Sequence, residues 1–300
     1  NPSVSIIMNC FNAEKYLIEA IESVFSQSFT DWEIIFWDNR STDGSAKIAK
    51  DYGHKLKYFL ATKHTDLGVA RNLALNQANG KYVGFLDCDD LFLKDKLKNQ
   101  ITFMEMHDYV MSYSSSIIID CNGKEIKRRL TKNDSGHIFG KLLRHYEINM
   151  QSVLINKSTL VSEGLNFDVN LKFNPDYNLF MRIASMYPIG VLRKPLVKYR
   201  VLKNSLSSQT LSIAADENKY TLDALYQSSE KLKVKYQVDF NKAYAKLNYY
   251  NSVSALYSEN RKEALKALSP IIGQRIEYFV LYALILCYVP SKIVLKVLGR

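Results

Sequence analysis

Metal-thiolate and disulfide chemistry find little material in this chain. Its four cysteines, Cys10, Cys88, Cys121 and Cys287, include no C-x-x-C pair and no framework spacing, which fits the reduced thiols of a cytosol. The five histidines, His54, His64, His107, His137 and His145, are scattered without H-E-x-x-H or zinc-site spacing. Neither the G-x-G-x-x-G of a dinucleotide fold nor the G-x-x-x-x-G-K-[ST] of a P-loop occurs, so a bound phosphate must be held by side chains and metal more than by a glycine cradle. No nucleic-acid module is present by motif. The longest apolar run near the carboxyl end, residues 279–289, is eleven residues and stops at Pro290; a bilayer core needs about twenty. The first apolar run, residues 4–8, has no basic segment before it and reads as a strand rather than a signal peptide.

What is present suits a folded domain with an appended smaller one. Across 300 residues, 47% are hydrophobic and 12% aromatic, ample for a core and too apolar for disorder. The net charge of +10 is uneven: residues 1–100 carry 12 basic and 13 acidic side chains, residues 201–300 carry 14 and 8. The surplus therefore lies late in the chain, where it suits an anionic membrane surface or an anionic substrate.

Hydrophobic period places the elements. Residues 4–8, 32–37, 56–61 and 82–86 read as strands. Between them, residues 14–27 carry Leu17, Ile18, Ile21, Val24 and Phe25 at helical spacing, residues 46–52 suit a short helix after a turn-rich stretch, and residues 67–78 suit another. This alternation predicts a parallel, doubly wound sheet. Beyond residue 109 the pattern changes: a strand to 119, a hairpin at Asn122-Gly123, a return strand over 124–130, a helix over 138–145, a strand over 152–156, a helix opened by Pro175 and a last strand over 196–201. After residue 205 the chain reads as helices.

The fourth strand ends in Asp87-Cys88-Asp89-Asp90. A buried strand has no use for three acids, so they lie past its carboxyl end, the rim where open α/β sheets bind ligands. On extended backbone Asp87 and Asp89 point the same way, about 6–7 Å apart. Carboxylates converging without an intervening base form a hard-oxygen site for Mg²⁺ or Mn²⁺, completed by substrate phosphates. The plainer reading is that Asp89 or Asp90 caps the helix expected over 94–106.

With these residues assembled, the chain resembles the inverting glycosyltransferases of family 2, which have the GT-A fold. The resemblance spans roughly residues 3–205. It rests on Val4-Ser5-Ile6-Ile7-Met8-Asn9-Cys10-Phe11-Asn12, on Ser23-Val24-Phe25-Ser26-Gln27, on Glu33-Ile34-Ile35 followed by Asp38-Asn39-Arg40-Ser41-Thr42-Asp43-Gly44-Ser45, on Gly68-Val69-Ala70-Arg71-Asn72, and on Phe85-Leu86-Asp87-Cys88-Asp89-Asp90. It implies a GT-A, Rossmann-like, mostly parallel sheet flanked by helices over residues 1–205, with a nucleotide-binding half (1–108), an acceptor half (109–205) and a helical extension (206–300). It also implies a metal-dependent transfer of a sugar from a nucleotide-sugar donor, expected to be UDP-linked, to a glycan or lipid-linked acceptor of surface polysaccharide synthesis.

By that resemblance Asn9 and Phe11 hold the nucleotide base, Asp38 or Asn39 binds uracil or ribose, and Arg71 lines the donor pocket. Asp87 and Asp89 match the family's D-x-D, with Asp87 toward the ribose and Asp87, Asp89 and Asp90 as candidate ligands of Mn²⁺ or Mg²⁺. Pro175-Asp176 falls where the family has Glu-Asp before a helix, making Asp176 the candidate general base. Two departures stand out: Leu202 replaces a histidine common near the closing segment, leaving Arg200, Lys203 or Ser205 to take its part, and Arg40 replaces a small residue of the Asp38 turn. The alternatives are a sugar nucleotidyltransferase, which needs a basic phosphate loop after the first strand, and a non-catalytic nucleotide-sugar-binding or scaffold subunit. Lys292, Lys296 and Arg300 share one helical face beside apolar residues, which over 279–300 suits a helix in the membrane interface or one packed on protein. The expected location is the cytoplasm, peripheral on the inner face of the cytoplasmic membrane.

Overall fold

The run that opens the chain forms β1 (Val4–Cys10), buried along nearly its whole length. β2 (Trp32–Asp38) lies parallel on one side, pairing Cys10 with Asp38, and β4 (Tyr82–Phe85) lies parallel on the other, pairing Ile7 with Phe85. β3 (Leu56–Leu60) extends the sheet beyond β2. Because β1, β2 and β4 are parallel, Asp38 and the 87–90 segment meet on the rim at their carboxyl ends. α1 (Glu14–Phe25), α2 (Ser45–Lys50) and α3 (Leu67–Leu75) are the crossovers. α1 buries Tyr16, Leu17, Ala20, Ile21 and Val24, while Ile18, expected on the buried stripe, is 54% exposed.

The sheet continues with mixed directions. β5 (Leu91–Phe92), α4 (Lys96–His107), β6 (Met111–Ile119), β7 (Glu125–Arg129), α5 (Phe139–Arg144), β8 (Leu154–Asn156), α6 (Lys157–Ser162), α7 (Pro175–Met186) and β9 (Gly190–Arg200) follow. β8 is antiparallel to β4 and to β6; β9 runs parallel to β6 and antiparallel to β5; and β7 returns on β6 as the Asn122-Gly123 hairpin predicts. Among the described residues this gives nine strands in the order β3-β2-β1-β4-β8-β6-β9-β5, with β7 on β6. β5 and α6 escape a periodicity reading because they are too short to show one.

The structure, a computed structural model, describes residues 1–202, 211–287 and 289–297. Two units result: Asn1–Leu142 with Tyr146–Lys203, and Leu143–His145 with Asn204–Arg300. The second holds α8 (Leu211–Ser228), α9 (Glu230–Lys235), α10 (Gln237–Tyr257), α11 (Arg261–Leu268), α12 (Ile276–Leu286) and α13 (Ser291–Val297). Val253, Leu256, Leu268, Tyr278, Leu281, Ile285 and Val294 form its core.

A buried acid interrupts the apolar run of β2. Glu33 on β2 accepts from the Ser5 hydroxyl at 2.6 Å and the Asn79 amide at 2.9 Å, and pairs with Lys57 of β3. Burial pushes its carboxyl pKa up, but the bonds from Lys57 and Ser5 outweigh burial and leave it below the usual value. The same corner admits no side chain at Gly80, where a Cβ would sit 2.5 Å from the Ser5 nitrogen and 2.7 Å from the Val4 carbonyl carbon. Gly80→Ala is therefore expected to lose about 1–3 kcal/mol by overpacking against backbone. Gly273→Ala, into open space, should stay within about 0.5 kcal/mol. Urea unfolding midpoints of the two variants measure the difference.

Candidate active site

The first-strand turn is built by its neighbour. The amides of Asn12, Ala13 and Glu14 donate to Ser41 Oγ, Ser45 Oγ and Asp43 Oδ2 at 3.0–3.1 Å. The amides that could cradle phosphate at the start of α1 are thus spent on the 41–45 segment, which removes the loop a nucleotidyltransferase requires.

Of the residues expected at the nucleotide, Phe11 presents free surface, Asn9 keeps a buried amide without a partner, and Asp38 and Asn39 are committed to the protein. Phe11 is 51% exposed, and its ring meets His64 with centroids 4.3 Å apart. Asn9 carries a buried Nδ2 with no hydrogen-bond partner. Asp38 is fully buried and its oxygens accept from the Ser41 amide at 2.7 Å and the Tyr58 hydroxyl at 2.6 Å; burial and this carboxylate raise the Tyr58 pKa strongly. The Asn39 amide is taken at both ends by Thr65, Nδ2 donating to its carbonyl at 2.8 Å and Oδ1 accepting from its N–H at 3.1 Å. His64 Nδ1 lies 2.9 Å from the Asn39 carbonyl, so Asn39 positions the Phe11–His64 wall from behind. His64 had no motif to mark it; only the packing of the post-β3 loop reveals it. Arg40 is exposed and sits at φ 72°, left-handed and strained for a residue with a side chain.

The acids after β4 do not remain extended. The Asp90 amide bonds to the Asp87 carbonyl at 3.1 Å, closing a turn over 87–90. Asp90 is 1% exposed, and its oxygens accept from the Arg200 amide at 2.7 Å and from Gln151 Nε2. It neither caps α4, whose N-cap position is Asp95, nor joins its neighbours in a three-carboxylate ligand set. Among the described residues no group of three His, Cys, Asp or Glu side chains is arranged to hold a metal. Of the three candidate ligands, Asp90 is the one claimed by hydrogen bonds from β9 and Gln151, which leaves Asp87 and Asp89 as the pair without such partners.

Asp87 and Asp89 stay available. The Asp87 side chain is 41% exposed and touches Arg71 Nη2 at 3.4 Å. Burial, and then the Asp87 charge, push Asp89 up to about 6. Two mutually repelling carboxylates, one open to solvent, form a donor set that fits a divalent cation whose remaining ligands come from elsewhere.

Arg200, a candidate for the role of the missing histidine, is committed otherwise. Its side chain is 1% exposed. Nε donates to the Asp89 carbonyl at 2.8 Å, Nη1 to the Asp120 and Cys121 carbonyls at 3.4 Å, and Nη2 pairs with Glu19 at 2.8 Å. It lies over the Tyr16 ring at 4.3 Å. It braces the 87–90 turn and is not free for a diphosphate. Lys203 and Ser205 lie outside the described residues.

α3 explains the Gly68-Val69-Ala70-Arg71-Asn72 signature. A Cβ at Gly68 would lie 3.1 Å from the Asp168 carbonyl and 3.5 Å from Pro175 Cβ, so glycine permits α3 to approach the start of α7. Asn72 clamps Phe167 at both backbone atoms, at 2.8 and 2.9 Å, and Arg71 lies over the Phe167 ring at 5.6 Å. Asp176, in the first turn of α7, thereby shares a neighbourhood with Arg71 and Asp87. Burial raises its pKa, the Arg71 cation opposes this, and the Asp87 charge adds to the rise.

The chain has known relatives. The model of glycosyl transferase family 2 matches residues 5–163. An uncharacterized glycosyltransferase of Rickettsia felis is 34% identical over 79% of this chain and 38% of its own length, so the chain spans well under half of that relative. The Escherichia coli UDP-Glc:alpha-D-GlcNAc-diphosphoundecaprenol beta-1,3-glucosyltransferase WfgD is 29% identical over 68% of this chain and 79% of its own. Among solved structures, Staphylococcus aureus TarS (residues 1–349) with UDP-GlcNAc aligns over 88% of this chain and 89% of that one, at TM-score 0.60 and 19% identity. The mannosyltransferase PcManGT of Pyrobaculum calidifontis, with GDP-Man and Mn²⁺, aligns over 98% and 86%, at TM-score 0.64 and 15% identity.

The Asp89 pKa has a consequence for stability without metal. A carboxyl raised in the folded state from about 3.9 to near 6 stabilises below its unfolded pKa, and that contribution is lost as pH rises through about 6. In EDTA, Asp89→Asn should therefore unfold at higher urea than the parent near pH 8, by about 1–2 kcal/mol after screening, and lose that advantage near pH 4.

A parallel amino-terminal half, an acidic turn on its carboxyl rim and the match to the family model lead to one assignment: the chain is a GT-A-fold glycosyltransferase of family 2.

Proposed function

We propose that this chain transfers a sugar from a nucleotide-sugar donor, a UDP-sugar, to a glycan or lipid-linked acceptor in surface polysaccharide synthesis, with inversion at the anomeric carbon. The reaction takes place at the cytoplasmic face of the membrane. The UDP donor is supported by the TarS complex, and the lipid-linked acceptor by the substrate in the WfgD name.

One observation carries the reading: the packing of Gly68 and Asn72 against the 167–175 segment puts Asp176 within electrostatic reach of Arg71 and Asp87. Phe11 offers its exposed face to the base, and Asn9, whose Nδ2 is buried and unpaired, lies at the end of β1 behind it. Asp38 and Asn39 act by holding the turn and the 64–65 segment that form this wall. Arg71 presents its guanidinium to donor oxygens beside Asp87. Asp87 and Asp89 would hold Mn²⁺ or Mg²⁺, which when bound supplies charge neutralisation for a departing diphosphate.

Asp176 accepts the proton of the acceptor hydroxyl as that oxygen attacks the anomeric carbon from the side opposite the nucleotide. Its raised pKa makes it a stronger base than a solvated carboxylate, while the Arg71 cation opposes the rise. Asp176→Asn should lower transfer by about 10²–10⁴ while leaving UDP binding, read by calorimetry, unchanged. Undiminished transfer would remove Asp176 from the mechanism and favour a binding or scaffold role.

A further inference from the structure

α12 is apolar on two opposite sides, and its own unit uses only one of them. Tyr278, Leu281 and Ile285 point into the core and are at most 5% exposed. On the other side Ile276 is 71% exposed, Phe279 53%, Val280 45% and Leu286 55%. At 100° per residue these four fall on one stripe, with Ala283 between them. A surface helix normally turns charge toward water, yet α12 contains one charged residue, Glu277, which Arg275 pairs at 3.2 Å.

The surroundings are basic. Residues 261–300 carry seven basic and two acidic side chains. Arg261 is committed to the carbonyls of Ile285 and Val289 at the end of α12, whereas Lys262 is exposed on α11. An eleven-residue helix is about 16 Å long, half of a hydrocarbon core of about 30 Å. Among the described residues no helix is long and apolar enough to cross a membrane. Bulky outward apolar side chains, short length and a cationic setting match a helix lying in the plane of an anionic bilayer surface.

We infer that α12 is a membrane-docking element: Ile276, Phe279, Val280 and Leu286 enter the acyl boundary of an anionic leaflet, with the exposed Lys262 and Lys266 of α11 toward its headgroups. The helix differs from the cationic stripe expected around α13, since the side chains of Lys292, Lys296 and Arg300 lie outside the described residues. The inference deepens the lipid-linked acceptor reading, yet vesicle binding is measured without donor or acceptor. Failure of docking and failure of the transfer mechanism therefore appear in separate experiments.

The test is flotation of the full chain with vesicles of phosphatidylglycerol or of phosphatidylcholine. The parent should float with phosphatidylglycerol and less with phosphatidylcholine, and high salt should weaken the former. The double variant Phe279→Ser, Leu286→Ser should lower the partition coefficient at least about tenfold with an unchanged circular dichroism melt, because both positions are exposed. Phe279→Trp should show a blue shift on phosphatidylglycerol vesicles above the signal of Trp32 and Trp37. The inference is overturned if the parent floats with neither vesicle, or if the double variant binds as well as the parent. A concentration-dependent dimer abolished by that double variant would overturn it as well, by assigning the stripe to a second copy of the chain.

Discussion

The acidic turn depends on a buried carboxylate whose hydrogen bonds are made within the protein. Asp90 gives both oxygens to the far side of the sheet, one to the Arg200 amide and one to Gln151, while the Arg200 guanidinium returns to the Asp89 carbonyl. A buried carboxylate is tolerated only when its hydrogen bonds are made, so this exchange ties the carboxyl end of β4 to the carboxyl end of β9. The cation also reaches Glu19 on α1 and the 120–121 turn. Asp87 and Asp89 are therefore presented by a turn held from behind at several points, a rigid support of the kind a binding constellation needs.

The opposite wall is assembled by α3. Its glycine shortens the distance to α7, its asparagine locks the backbone of Phe167, and its arginine spans the Phe167 ring and Asp87. Three positions within five residues of one short helix thus join the parallel part of the sheet to the segment bearing Asp176. Burial of Asp176 raises its pKa while Arg71 restrains the rise.

A division of labour among the polar residues at the strand ends also emerges. Asp38, Asn39 and Asp90 look like ligands by type and position, but their hydrogen-bonding capacity is directed inward, to Tyr58 and Ser41, to Thr65, and to Gln151 and β9. They shape the site. Phe11, Asn9, Asp87 and Asp89 keep exposed surface or unmade bonds, which is what contact with a ligand requires.

Local physics made much of this readable in advance. Parallel strands followed from apolar runs alternating with amphipathic helices, the hairpin from Asn122-Gly123, and the start of α7 from Pro175, because each depends on neighbours a few residues apart. The family could be recognised because its signatures are strand-end turns of fixed composition. Which acid faces a ligand and which is locked in the sheet was invisible, since Asp87, Asp89 and Asp90 are chemically alike and differ only in what β9 and Gln151 bring to them. Arg200, His64 and the outward stripe of α12 were likewise decided by tertiary structure: burial and exposure belong to packed surfaces, and one helix reads as equally apolar whichever of its sides the core takes.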